Sequence, residues 1–442
     1  MKKIVRILLF SFFYFFQLLN LSFAKNYYIN LDWFKNFNDE NLMKYICLAL
    51  ENNKDILIAK QNILKSRQER NLLISDEFPN LNIGSDYLLL KIPKGSIPNN
   101  DIQTNSYALP LDVKWELDYL GKKYDKIKQA KLDIKIAKED LRASNLIVAT
   151  DTANAYLNVS NLEKLIKLQT QRKEIYEEFL KRKTKMYETG VISSVELNET
   201  NKLFEEEKNT LENLKKERAS FITELCYLIG YTPYEADNIT VSSFDKIEYT
   251  GIYPEILKGD IVLNRPDIIK FDIEIQKKKL DITAAKKDFL PKLEITGNLI
   301  FSTVVNNFGW EGAVAALIAG ATQNLFDGGK RIFTLKKRKI EYETALNEYF
   351  KADLNALKEV NDALYTLKKD KEIYKNNKKR LEYENSNFIK IFNAYTTGAR
   401  SYMDYLDRDM ERISEAKILC SSKNQKYTDL ISLYKASGGV LQ

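Results

Sequence analysis

Two glycine triplets, Gly121, Gly190 and Gly230 in the first half and Gly329, Gly398 and Gly438 in the second, leave this chain few ways to fold. The intervals are 69 and 40 residues both times. Neither 122–189 nor 330–397 holds another glycine or any proline, so each stretch reads as one uninterrupted helix. At ~1.5 Å rise per residue such a helix is roughly 100 Å long, several times the width of a globular domain. The chain therefore builds something elongated, and builds it twice.

The duplication extends beyond the glycines. Asn53 to Ile56 aligns with Arg265 to Ile268, and Pro79 to Leu81 with Pro291 to Leu293, at an offset of 212; from Gly121 onward the offset is 208. The four-residue deficit before Gly329 is expected in a surface loop. Each half reads helix, strand, strand, very long helix, shorter helix. Residues 25–230 form the first repeat, 231–262 an irregular linker with Pro233, Gly251 and Pro254, and 263–442 the second repeat.

Residues 1–24 read as a secretory signal peptide. Lys2, Lys3 and Arg6 make the basic start, Ile7 to Phe16 the apolar core, and Ser22 to Ala24 the cleavage site. An uncleaved anchor fits less well, because Gln17 and Asn20 interrupt a short core. The mature chain is expected to begin near Lys25. Cleavage takes the net charge from +7 to +4 on a chain with 68 basic and 61 acidic residues, which is a solvated surface and no nucleic-acid footprint. Cys47, Cys226 and Cys420 are too scattered for a disulfide framework or a zinc site. No later segment reaches the ~18 apolar residues of a spanning helix, so any crossing of a membrane uses strands.

Four segments carry strand patterning. Apolar and polar residues alternate over Leu293 to Ser302 and Leu109 to Leu117, more weakly over Leu81 to Leu90 and Ala313 to Phe326, the last also compatible with a helix. Segments of about ten residues suit tilted transmembrane strands, and Tyr87, Tyr107, Trp115, Tyr119, Phe301, Phe308, Trp310 and Phe326 fit aromatic girdles at their ends. A soluble sheet covered by helices matches the same pattern. Closure decides between them: four strands cannot close a barrel in lipid, so several chains must share one. The long helices repeat apolar residues every seven positions, at Ile127, Ile134, Leu141, Val148, Ala155 and Leu162, and at Leu335, Tyr342, Tyr349, Ala356 and Ala363. These are expected coiled-coil seams.

Both long helices end at a Thr-Gly turn, and the next helix starts at once. Ser193 with Glu196, and Ser401 with Asp404, have capping-box spacing, which by itself accounts for both acids. Asp407 adds a carboxylate one turn beyond Asp404.

With these features in place, the chain resembles the TolC family of trimeric outer-membrane efflux and export ducts over nearly all of its mature length. The residues that carry the likeness are the strand starts at Pro79 and Pro291, the strand-to-helix exits Trp115 to Lys122 and Leu325 to Lys330, and the tips at Thr189-Gly190 and Thr397-Gly398. The resemblance implies a mainly α protein with a membrane β-barrel. Three protomers each give four strands to a twelve-stranded barrel, continuous with a periplasmic coiled-coil tunnel. It implies a homotrimer in a Gram-negative outer membrane, in contact with lipid, a periplasmic adaptor and an inner-membrane pump, and serving efflux or type I secretion. Tyr395, Arg400 and Glu196 match positions of the closed gate, and Asp404 and Asp407 the acidic entrance ring. Gly190, Val191 and Ser193 with Gly398, Ala399 and Ser401 match the adaptor-docking tips. The chain departs from the family twice: many relatives begin with a lipidated cysteine where this chain has Lys25, and Ala399 replaces a bulkier tip residue.

An enzyme is not indicated. Histidine is absent, no nucleophile motif is present, and Phe326 to Lys330 lacks the spacing of a phosphate loop; no cofactor or metal is implied. The alternative is a periplasmic coiled-coil scaffold without channel activity. An adaptor protein would need a lipoyl-like or barrel domain between its helices, and none is legible. The exported substrate is not written in the chain.

Overall fold

The computed structural model describes residues 29–92, 102–257, 259–302 and 313–441. The first half runs α1 (Asp32–Lys35), α2 (Glu40–Asn52), α3 (Lys54–Ser75), β1 (Asn80–Ile83), β2 (Asp86–Ile92), β3 (Ile102–Leu117), α4 (Lys122–Glu188) and α5 (Ser194–Ile229). Three short 3-10 turns, Pro233–Asn238, Phe244–Lys246 and Gly259–Asn264, connect it to α6 (Pro266–Lys287), β4 (Lys292–Ser302), β5 (Ala313–Thr322), α7 (Lys330–Thr396) and α8 (Tyr402–Ala436). The two long helices have the same length, 67 residues. Residues 1–24, Phe308 and Trp310 lie outside the described residues, as does much of the stretch where the four-residue deficit was expected.

Each long helix begins under an aspartate one short turn upstream. Asp118 accepts the N–H groups of Lys122 (2.6 Å) and Tyr124 (2.8 Å), and Asp327 those of Gly329 (3.1 Å) and Arg331 (3.3 Å). A carboxylate there satisfies orphan amides and faces the positive end of the helix dipole.

The strands form one antiparallel sheet in which β3 pairs with β4 and β4 with β5, while β1 and β2 both lie along the other side of β3. The expected strand Leu81 to Leu90 is therefore one strand broken at Gly84 and Ser85, opposite Pro110 of β3. Proline has no N–H for the ladder, and only its carbonyl is used, accepting from the Gly84 N–H at 2.8 Å. β3 is longer than the expected Leu109 to Leu117. The ambiguous segment from Ala313 is a strand that ends at Thr322, so Phe326 lies in the loop before α7.

The register keeps like with like. Leu111 faces Leu299, Trp115 faces Ile295 and Leu117 faces Leu293; on the other side Asp112 faces Asn298 and Lys114 faces Thr296. Asn298 donates to Asp112 at 2.5 Å, and Lys114 pairs with Glu294 at 2.9 Å. Over 80–83, 86–87, 107–117, 292–301 and 315–322 no side chain of the sheet is buried on either face. Leu317 and Ile318, adjacent on β5 and pointing to opposite faces, are 77% and 64% exposed. Both edges of the sheet, β1 with β2 and β5, lack a partner among the described residues.

The core lies in the helical part, around the middle of α4. All six of its expected seam residues, Ile127 to Leu162, are buried. In α7 only Ala356 of the matching five is buried; the others are half-exposed. The difference arises because α4 packs against α2, α3, α5, α6 and α8, whereas the main neighbours of α7 among the described residues are α6, α8 and the Gly259–Asn264 turn. A collar wraps the waist. Trp33 stacks on Tyr434 at 4.1 Å, and Phe34, Phe37 and Tyr249 close around them. Asp39, the N-cap of α2, accepts from Tyr156 Oη of α4 (2.8 Å) and from Ser242 Oγ of the linker (3.0 Å). Burial raises the Tyr156 pKa, so the phenol stays protonated to donate this bond.

Candidate gate at the hairpin tips

Both tips are closed by the same hydrogen-bond pair. Val191 N–H donates to Met186 O (2.8 Å) and Gly190 N–H to Tyr187 O (2.9 Å); Ala399 donates to Ala394 O (2.8 Å) and Gly398 to Tyr395 O (2.9 Å). This double bond pattern needs a left-handed residue, and Gly190 and Gly398 sit at φ +75° and +78°. The turns reverse the chain within four residues, so Gly190, Val191 and Ser193 crown one hairpin and Gly398, Ala399 and Ser401 the other. Val191 is 65% exposed.

The two capping boxes differ. At the second tip both halves are made: Asp404 N–H donates to Ser401 Oγ and Ser401 N–H to the Asp404 carboxylate, each at 3.1 Å. These bonds, and then Arg400 nearby, hold Asp404 below the usual carboxylate range. At the first tip only Glu196 N–H to Ser193 Oγ (3.3 Å) is made, and the Glu196 carboxylate stays exposed. Among the described residues no ion pair joins Glu196 to Arg400 within one chain. Asp407 is exposed on α8, on the side facing Tyr176 of α4, and burial raises that phenol against the opposing charge of Arg172.

Tyr395 belongs to a stack of rings that holds the second hairpin shut on itself. Its ring lies 5.2 Å from Tyr402 and 5.7 Å from Tyr405, and Tyr405 also meets Phe388 (5.5 Å) and Phe392 (5.7 Å). The spacing of Phe388, Phe392 and Tyr395 on α7, i, i+4 and i+7, marks one helix face and was available in the sequence. Arg182 of α4 lies 4.0 Å over the Tyr402 ring and joins the two hairpins near the tips.

Above it, the α4–α8 seam turns polar. Arg172 donates to Glu207 of α5 (2.9 Å), to Met410 O of α8 (3.1 Å) and to Ser414, while Gln169 donates to Glu207 (2.6 Å) and accepts from Lys417 (2.5 Å). Burial, and then Arg172, lowers the Lys417 pKa. No sequence period identifies this tie, because its members come from three helices. Tipward of Gln169 no residue of α4 is buried. Charge and stacking thus join the hairpins at this seam, beside the buried Leu406, Met410 and Ile413 of α8.

A bare antiparallel sheet thus stands at one end of paired helical hairpins. The chain belongs to the outer membrane efflux protein family, whose model matches residues 45–230 and 258–439. It is an outer-membrane efflux protein of the Gram-negative, TolC-like type, with a large helical part in the periplasm. It is similar to the antibiotic efflux pump outer membrane protein ArpC of Pseudomonas putida, 24% identical over 92% of this chain and 84% of the relative. The cation efflux system protein CusC of Escherichia coli K12 is 23% identical over 94% and 90%. Among solved structures, the Campylobacter jejuni CmeC outer membrane channel superposes with a TM-score of 0.84 at 22% identity, covering 96% of this chain and 91% of that one. The open state of the Neisseria gonorrhoeae MtrE outer membrane channel gives 0.77 at 22% identity, over 91% and 90%. At these identities the structural likeness concerns the fold.

Proposed function

We propose that three copies of this chain form a passive exit duct through the outer membrane, opened at the hairpin tips and energised by another protein. The observation that carries this reading is the sheet: four strands wide and, among the described residues, uncovered on both faces and unpaired on both edges. Such a sheet is tolerable only where lipid meets one face and neighbouring copies pair the edges. Three copies supply twelve strands, with Leu111, Trp115 and Leu299 toward lipid and Asp112, Lys114 and Asn298 toward the lumen. The open side of α7 supports the same assembly: exposed Phe333, Ile340 and Leu354 stand at heptad spacing and form a seam without a helix to fill it.

In this duct, residues 25–230 and 263–442 are the two repeats and 231–262 is part of the collar. Gly190, Val191, Ser193, Gly398, Ala399 and Ser401 dock a periplasmic adaptor, which engages an inner-membrane pump in an efflux or type I secretion assembly. The relatives named as efflux-pump outer-membrane proteins support that placement. Arg400 and Glu196, which form no ion pair with each other among the described residues, link across neighbouring copies, with Tyr395 setting the tip. Adaptor binding breaks the link and shifts the population toward the open tip. Three copies of Asp404 and Asp407 ring the entrance and favour cations. The chain performs no chemistry on what it passes.

Single-channel recording in planar bilayers tests this. Wild-type protein is expected to conduct weakly with cation preference. Arg400→Ser is expected to raise conductance several-fold, and Asp407→Ala to reduce cation preference. A soluble periplasmic fraction, or a trimer silent even with Arg400→Ser, would overturn the duct in favour of a scaffold.

A further inference from the structure

At the collar the shorter helices meet end to end. Asn53, the N-cap of α3, donates to Leu228 O in the last turn of α5 at 3.0 Å, and Arg265, the N-cap of α6, donates to Ala436 O at the end of α8 at 3.0 Å. Each pair lies along one long helix: α5 and α3 along α4, α8 and α6 along α7. Because α4 also packs against α8 and α6, the order across the chain on either side of the collar is α5 or α3, then α4, then α8 or α6, then α7. The outermost members are the two flanks of the chain. They continue into the sheet edges, since α3 leads into β1 and β5 leads into α7.

The linker crosses from one flank to the other. It leaves α5 at Gly230, meets α4 where Lys164 donates to Asp245 and α8 where Lys423 donates to Phe244 O, and reaches α7, where Lys371 lies 5.3 Å over the Tyr253 ring and Gly259 faces Leu357. Both ends hold large side chains out in water. On the α5 flank Tyr227 and Tyr234 are 69% and 96% exposed, and on the α7 flank Ile252 and Ile256 are 81% and 86% exposed. Tyr253, between the two isoleucines, packs on the core instead. Tyr227 stands on the side of α5 opposite the buried Ile222, Leu225 and Ile229, and so points away from the chain's own wall. The two ends are also at one height. Lys417 meets Gln169 and Lys435 meets Asp151, so α8 and α4 run level from tip to collar. Tyr227 lies roughly 55 Å along α5 from the Gly190 turn, and the span of α7 from Lys371 to Leu357 roughly 40 to 60 Å from the Gly398 turn.

We propose that the two ends of the linker are an interface between copies of this chain, with Ile252 and Ile256 of one copy packed against Tyr227 and Tyr234 of the next. The inference rests on the trimeric duct proposed above, and it assigns the contact that holds neighbouring copies together at the collar. A wall that closes into a ring by head-to-tail contacts brings the α7 flank of one copy to the α5 flank of the next, as it brings β5 to β1 and β2. Aliphatic side chains and aromatic rings at a common height then leave water together, and each tyrosine can keep its hydroxyl at the wet rim.

The test is made on the full chain in outer-membrane vesicles, with Ile256→Cys and Tyr227→Cys combined and a short bismaleimide added. Bands of two and three linked chains are expected on a denaturing gel, absent from wild type and from either single variant. Ile256→Asp or Tyr227→Asp alone is expected to raise the trimer's dissociation constant in detergent roughly tenfold or more. Ile256→Asp combined with Tyr227→Arg is expected to recover most of that loss, as two facing residues require. A native trimer by light scattering that gives no linked bands, or that neither aspartate variant weakens, overturns the proposal and leaves the duct standing; the exposed side chains then serve another protein. A chain that forms no trimer at all overturns the duct reading itself, and this contact with it.

Discussion

Single residues at the tips can be tested one physical effect at a time. A methyl group on Gly398 would touch nothing within 4 Å, so Gly398→Ala measures backbone strain without a clash. We expect a loss of about 1 kcal/mol in urea unfolding, and the same for Gly190→Ala. Asp404 has two tasks, cap and entrance charge, whereas Asp407 has no capping bond; comparing their alanine variants separates the two. The folded pKa of Asp404 is depressed, so its stabilisation is complete above the ordinary 3.8 and is lost as pH falls through the folded value. Hydrogen exchange at Ser401 and Asp404 is expected to quicken in that acid window, and to be quick throughout in Asp404→Ala. In the collar, burial first and then Lys423 and Lys371 push Lys426 down to about 8 from 10.5. The unfolded chain binds the extra proton between those values, so stability should rise across that window, and Lys426→Met should flatten the rise in a thermal-melt series.

At the scale of elements, the long helices were legible because length, absence of glycine and proline, and the closing glycines are local properties. Both came out at 67 residues, as the equal 69-residue intervals require. Strands were legible by alternation, but the break in the first could not be read, since it is caused by Pro110 on the strand opposite. Asp118 and Asp327 went unnoticed as caps although they stand just ahead of Gly121 and Gly329, because neither has capping-box spacing. The polar tie of Gln169, Arg172, Glu207 and Lys417 had no local signature at all. Tyr405 is the hub of the second hairpin's ring stack, and Tyr405→Ala is expected to cost ~2 kcal/mol there. The loss should appear as faster exchange in the last turns of α7 and the first of α8, with the collar unchanged.

For the whole molecule, the proposed trimer covers the open side of α7 and pairs the edges of the bare sheet. Placing a charge on that helix, as in Leu354→Asp, leaves the single chain's core untouched, because Leu354 is exposed in it. Helix content by circular dichroism should therefore persist while the trimer is lost in light scattering; a trimer of unchanged stability would move the interface elsewhere. By itself the sequence determined the duplication, the helix lengths, the turns at Gly190 and Gly398 and the alternating strands, all set by backbone sterics and hydrophobic period within one segment. Only the tertiary structure decided that α4 is central and α7 open, and that Tyr395 is bound into a ring stack. Those outcomes depend on which helices become neighbours, and that is settled by packing between residues hundreds of positions apart.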